Sequence, residues 1–257
     1  RAIEIADTEY VSILDSDDAY APDYVEKMLA RAEETDADSI VPDVEFGYGN
    51  TQRLLNMFEQ HNLSANLVIE DGMKAFAMTL PWQLHGWQMI RTSLAKKYYT
   101  VQQASYSKFN SDEYITRLLY LKSNKVALCS ACYQYRIDLN SITRKPSLKM
   151  MDYLVTNEKL LWLAEYEHLD KEVILNIYND YYVTCRDMKR NRIPKLEKKD
   201  QNIAYKLLND SLFKFSKNIK WSCLKGATIR TKVKFLIFLI GIKCSYIFGG
   251  SKYLPYM

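Results

Sequence analysis

The chain has 257 residues, 48% of them hydrophobic and 26% charged, which excludes a mainly disordered state and leaves room for one full domain with an appendage. Eight Gly and six Pro exclude collagen-like and low-complexity classes, and the five Cys form no paired CxxC clusters and lack nearby His, so free thiols fit better than a zinc site. The net charge of +4 conceals an asymmetry, because residues 185–234 carry 15 Lys/Arg against 4 Asp/Glu while residues 1–184 carry 18 basic and 27 acidic side chains. An acidic body suits a metal-using site, and a basic tail suits an anionic surface.

Tyr10-Val11-Ser12-Ile13-Leu14 reads as a short buried strand that ends in the acidic turn Asp15-Ser16-Asp17-Asp18. Beyond Pro22, Tyr24, Met28, Leu29 and Ala32 have helical spacing, with Asp23 and Glu26 at the helix start. Ala37–Pro42 then reads as the next strand, giving a βαβ unit of the kind that builds a parallel sheet, with ligands expected beyond the carboxyl ends of its strands. Gln52–Lys97 reads as helices and connections. A second acidic turn, Asn110-Ser111-Asp112-Glu113, opens a helix through Tyr114, Leu118 and Leu119, and the strand Lys125–Cys129 and Tyr133-Gln134-Tyr135-Arg136 close the body. After Lys145-Pro146 the chain is helical over Met150–Tyr166 and Glu172–Lys189, then basic, with Phe235–Ile242 as its long apolar run.

Carboxylates crowded within four residues are costly unless a cation neutralises them, and an oxygen-only set selects a hard ion such as Mg²⁺ or Mn²⁺. Asp15, Asp17 and Asp18 are such a set, although a solvated turn or a helix cap explains the same residues. Asp112 and Glu113 taken alone read as an ordinary acidic first turn. An apolar strand followed by Asp-x-Asp also opens phosphotransferases that form an aspartyl-phosphate, but those place Thr or Val where this chain has Ala19.

The stretch from Ile3-Glu4-Ile5-Ala6 through Tyr10–Asp18, with Pro22–Glu26 and Thr35–Asp38 behind it, resembles the family 2 glycosyltransferases of the GT-A fold. Ser111-Asp112-Glu113 is similar to the acidic "ED" helix start of that family, and Tyr133–Arg136 followed by Ser141-Ile142-Thr143 to its "YxYR…SIT" ending. The resemblance spans about residues 1–145 and is of the bacterial polysaccharide type. It implies an α/β, Rossmann-like GT-A domain over 1–145 that lacks its first βα units; beyond it the residues themselves read as a helical basic region over 146–230 and an amphipathic tail over 231–257. It further implies an inverting transfer of a sugar from a nucleotide-sugar to a hydroxyl of a growing cell-surface polysaccharide or lipid-linked glycan. Asp15 and Asp17 inherit the role of holding Mn²⁺ or Mg²⁺ against the donor diphosphate, with Asp18 as a substitute ligand. Asp112 inherits the general base; since Ser111 stands where the family has Glu, Glu113 is the second candidate.

Leu84–Met89 is expected to wall the acceptor side, with Trp82 or Trp87 stacking on a sugar or packing in the core, and Arg136 to pair with phosphate or with a carboxylate. His85 reads as a structural histidine. Val233–Phe248 is too short and too interrupted by Lys234 and Lys243 to span a bilayer. With Tyr246, Phe248 and Tyr253 it is expected to lie on an anionic membrane surface, its alternative being a core helix, and the protein to be cytoplasmic, peripheral on the inner face of the membrane. No nucleic-acid recognition motif is found. The alternative to an enzyme is a partial, non-catalytic glycosyltransferase-like module docked on a membrane.

Overall fold

The computed structural model describes residues 2–47, 56–137 and 145–247, with side chains through residue 242; Ser141-Ile142-Thr143, Tyr246, Phe248 and Tyr253 fall outside that description. The chain divides into two compact units, Arg1–Arg144 and Lys145–Met257.

The first unit is built on a six-stranded sheet: β1 (Tyr10–Val11), β2 (Ala19–Tyr20), β3 (Ser39–Gly47), β4 (Val68–Ile69), β5 (Met89–Arg91) and β6 (Val126–Arg136). Their spatial order is β1-β5-β3-β6-β2, and β4 also pairs with β6. The long central pair β3–β6 is parallel, running from Ser39 opposite Val126 to Gly47 opposite Arg136 with a register shift between Pro42 and Asp43; the other pairings are antiparallel. This pair is central because its apolar residues are buried on both faces. Ile40 and Val44 join Ala127, Ala131 and Tyr133 on one face, while Val41 joins Val126, Leu128, Phe58 and Tyr120 on the other.

Helix α1 (Tyr24–Thr35) covers the first face with Tyr24, Met28 and Ala32, one turn apart, and leaves Leu29 exposed. It ends where Asp36 turns left-handed at φ 49° and its N–H returns to the Ala32 carbonyl. The strand–helix–strand reading holds with two corrections. Between β1 and β3 runs β5, antiparallel to both, so the sheet is mixed rather than parallel. And β1 stops at Val11, with Ile13 and Leu14 exposed, because its one partner, β5, is itself three residues long. Arg91 at the end of β5 pins this edge through Glu9 (2.7 Å), Asp36 (2.6 Å) and Asp38 (3.3 Å).

On the opposite face lie α2 (Gly72–Ala77) and α4 (Ser111–Lys122), with α3 (Thr92–Tyr98) between them in sequence. At Gly72 a Cβ would meet the Tyr120 and Leu121 carbonyl oxygens at 2.7 and 2.6 Å, so only glycine lets α2 lie this close to the end of α4.

The second unit is helical: α5 (Asp152–Tyr166), α6 (Lys171–Asp187), α7 (Lys198–Asn218) and α8 (Ile229–Ile247). Its core is aromatic. Tyr181 stacks on Phe215 at 4.3 Å, and Phe235 and Phe238 of α8 meet Tyr178, Tyr182 and Phe215. The apolar run read as a membrane-facing tail therefore also has a core face, formed by Phe235, Phe238 and Ile242.

Candidate active site

The acidic turn follows β1 and is fastened to β6. The Asp18 N–H donates to the Asp15 carbonyl at 3.1 Å, closing the turn, and the Asp15 N–H reaches the Tyr133 hydroxyl at 3.4 Å. The Tyr133 hydroxyl in turn donates to Asp18 Oδ2 at 2.7 Å, and the backbone N–H of Arg136 donates to Asp18 Oδ1 at 2.8 Å. Both oxygens of Asp18 are thus engaged by the strand, whereas Asp15 and Asp17 are exposed. Burial pushes the Asp18 carboxyl up, those two hydrogen bonds oppose the shift, and the charges of Asp17 and Asp15 add to it. Arg136 serves the turn through its backbone, and its side chain is exposed.

Beneath the turn lies a continuous aromatic floor. Tyr20 stacks face to face on Tyr24 at 3.8 Å and meets Tyr133 edge-on at 5.7 Å; Trp87 stacks on Tyr133 at 5.2 Å and leans on Tyr135 at 5.1 Å. Trp87 is held there by His85. The His85 Nε2–H donates to the Pro42 carbonyl at 2.8 Å, Nδ1 accepts the Trp87 N–H at 3.2 Å, and the His85 carbonyl accepts the Tyr120 hydroxyl at 2.6 Å. Full burial lowers the His85 pKa to about 4, although the bond to Pro42 pulls the other way. The structural reading of His85 fits this environment. The folded protein binds its proton less well than the unfolded chain, so this contribution to stability is complete above the ordinary histidine pKa of about 6.5 and lost as pH falls toward 4. Denaturant unfolding should therefore show about 2 kcal/mol lost through His85 between pH 7 and pH 5, a component absent from His85→Gln.

Across from the acidic turn, α4 begins at Ser111 and places Asp112 and Glu113 in its first turn. Its approach is close: a Cβ on Gly86 would meet Thr116 Oγ1 at 2.8 Å. The two acids diverge from there. Glu113 pairs with the buried Arg117 at 3.3 Å, and the Arg117 guanidinium lies 3.9 Å over the Trp82 ring, so one face of that ring is occupied. Asp112 keeps part of its surface in solvent while protein crowds its carboxyl, and burial raises its pKa. The N–H groups of Glu113 and of Asp112 itself oppose the rise, and the negative charge of Asp15 adds to it. Tyr99 feels the same two carboxylates, its phenol raised by burial first, then by Asp112 and Asp15. The end of β1, the start of α4 and the residue after α3 therefore converge on one acidic neighbourhood.

Sequence reasoning named Asp15, Asp17, Asp18, Asp112 and Glu113, and the fold separates their environments. Nothing in the sequence marks Tyr99, and Tyr133 stands out there only as part of the Tyr133–Arg136 stretch. Among the described residues no group of three His, Cys, Asp or Glu side chains could hold a metal ion. Asp15 and Asp17 nonetheless fit a hard divalent cation of the kind that takes one or two carboxylates from the protein and its remaining oxygens from phosphate and water.

Residues 1–99 match the family model "Glycosyl transferase family 2". No curated protein sequence matches the chain. Among solved structures, Staphylococcus aureus TarS 1–349 in complex with UDP is similar at 16% identity and a TM-score of 0.57, over 97% of this chain and 70% of that one. The complex of TarS 1–349 with UDP-GlcNAc gives 15% identity and a TM-score of 0.61 over 96% and 70%, and TarS itself gives 14% and 0.56 over 95% and 41%. The family 2 glycosyltransferase model thus covers residues 1–99, and the chain has the GT-A fold with a helical region after it.

Proposed function

We propose that the protein is an inverting glycosyltransferase that moves a sugar from a nucleoside diphosphate donor to a hydroxyl of a growing cell-surface polysaccharide or lipid-linked glycan. The observation that carries this reading is that the fold brings two acidic stretches far apart in the chain into one neighbourhood: the exposed turn after β1, tied to β6 through Asp18, and the first turn of α4 with Asp112, whose carboxyl feels the charge of Asp15. A general base needs a pKa drawn toward the working pH, and a diphosphate leaving group needs its charge met nearby. The fold relatives seen with UDP and UDP-GlcNAc support a nucleotide-sugar as donor.

In this reading Asp15 and Asp17 would hold Mn²⁺ or Mg²⁺, which supplies charge neutralisation for the departing diphosphate. Tyr133 and the Arg136 N–H keep the turn in place by holding Asp18 rather than a ligand. Asp112 accepts the proton of the acceptor hydroxyl while that oxygen attacks the anomeric carbon; the bond to the diphosphate oxygen breaks on the opposite side, and the configuration inverts. Glu113, committed to Arg117, positions the start of α4. Trp87, packed on Tyr133 and Tyr135, shapes the floor beneath the turn.

The test is stereochemical. Full-length protein supplied with an α-linked nucleotide-sugar and an oligosaccharide acceptor should give a β-linked product, read by proton NMR of the anomeric signal. An α-linked product would overturn the single-displacement mechanism, and a protein that binds donor but transfers nothing to any glycan hydroxyl would be the non-catalytic module.

A further inference from the structure

Helix α8 has two apolar faces. At about 3.6 residues per turn, Phe235, Phe238 and Ile242 fall on one side and are buried against the aromatic core of the helical unit. Val233, Leu236, Ile237 and Ile240, with Ile229 at the helix start, fall on the opposite side and face solvent, Ile229 at 80% and Ile237 at 55% exposure. A helix needing only to close a core has its apolar stripe on one side. The second stripe has exposed Arg230 along one edge and Lys232 along the other, while Lys234 turns back to Asn179 and Tyr182.

The charge around this stripe is of one sign. From Ser211 to Met257 the sequence holds nine Lys/Arg and no acidic residue. A second copy docking stripe to stripe would bring these cations together, and like charges across an interface disfavour association. No described helix is long and apolar enough to cross a membrane. An apolar stripe edged by cations, on a helix already held down by its other side, matches what lies in the headgroup layer of an anionic bilayer.

We infer that the exposed face of α8 is a docking surface for an anionic lipid bilayer, with Leu236, Ile237 and Ile240 entering the acyl boundary and Arg230 and Lys232 meeting the headgroups. The inference stands on the helical unit alone and is independent of the transfer chemistry proposed above. Because the inserting residues are solvent-exposed, they can be changed without touching the core. By contrast, deleting residues 231–257 removes Phe235 and Phe238 as well, so a loss of binding on truncation would not separate docking from unfolding.

The experiment is flotation of the full-length protein with vesicles of phosphatidylglycerol and phosphatidylcholine, with phosphatidylcholine alone, and in high salt. The expected result is flotation with the anionic vesicles at low salt, loss in high salt, and binding weaker by at least ~100-fold in the triple variant Leu236→Gln, Ile237→Gln, Ile240→Gln. That variant should melt at the temperature of the parent protein. Protein that stays unbound with anionic vesicles at low salt overturns the inference, as does a triple variant that floats equally well. A triple variant that melts lower shows a stripe covered by the protein itself, and parent protein that sediments as a dimer lost in the variant shows a self-association surface; either result also overturns it.

Discussion

Replacing Asp112 by Asn in the full-length protein is expected to lower turnover at least ~100-fold while leaving nucleotide-sugar affinity close to unchanged, because a general base acts in the transition state and adds little to the ground-state complex. Glu113→Gln should be milder in turnover and harsher in stability, since it removes a negative charge paired with a guanidinium that is 2% exposed. Steady-state kinetics with direct donor titration separates the two effects, and the reverse order would make Glu113 the base. The pH profile adds a second readout. Burial first, and then the charge of Asp15, raise the Asp112 carboxyl, so the deprotonated, active form accumulates at higher pH than it would for an unperturbed aspartate. The acid limb of kcat/KM should therefore be displaced upward from that of an ordinary carboxylate, and it should vanish in Asp112→Asn.

The second large effect is expected at the acidic turn. Asp17→Asn and Asp15→Asn should each abolish detectable transfer, because each removes one of the two exposed charges available to a cation at the donor diphosphate. The fold should survive both, since neither side chain is buried. Asp15→Asn also removes a negative neighbour of Asp112 and should lower the Asp112 pKa, which carboxylate NMR titration can follow without any turnover. Transfer that continues undiminished in excess chelator would refute the cation assignment, and a fully active Asp17→Asn would remove that residue from the site.

Much of this arrangement was legible in the sequence where local chemistry and tertiary need agree. The helix at Tyr24–Thr35 announces itself through Tyr24, Met28 and Ala32, and α4 through its acidic first turn. What the sequence hides is pairing. Met89–Arg91 follows a Trp-rich segment with no alternation, and it becomes a strand because β1 and β3 offer free edges on both of its sides. Ile13 and Leu14 look like strand interior, yet β5 ends before reaching them. The three aspartates of the turn are equivalent by composition; the Tyr133 hydroxyl, 115 residues away, and the Arg136 N–H tell Asp18 apart from the other two. Likewise nothing local divides Asp112 from Glu113 until Arg117, one turn later, turns out to be buried against Glu113. The apolar run of α8 shows its hydrophobicity in the sequence but not its two faces, because Phe235 and Phe238 find their aromatic partners in Tyr178, Tyr182 and Phe215 of other helices.

Strand β6 has neighbours on both sides, β3 along one and β4 then β2 along the other. Local opening of a sheet begins where a strand has one partner, so β1 at the margin can fray while β6 separates only when the whole sheet melts. The acidic turn leaves the strand that frays, yet Asp15 and Asp18 are tied to Tyr133 and Arg136 of the strand that does not. Two exposed carboxylates at the end of a short marginal strand thereby acquire the persistence of a strand paired along both of its edges. Opening the turn therefore draws on the stability of the whole sheet rather than on that of its margin.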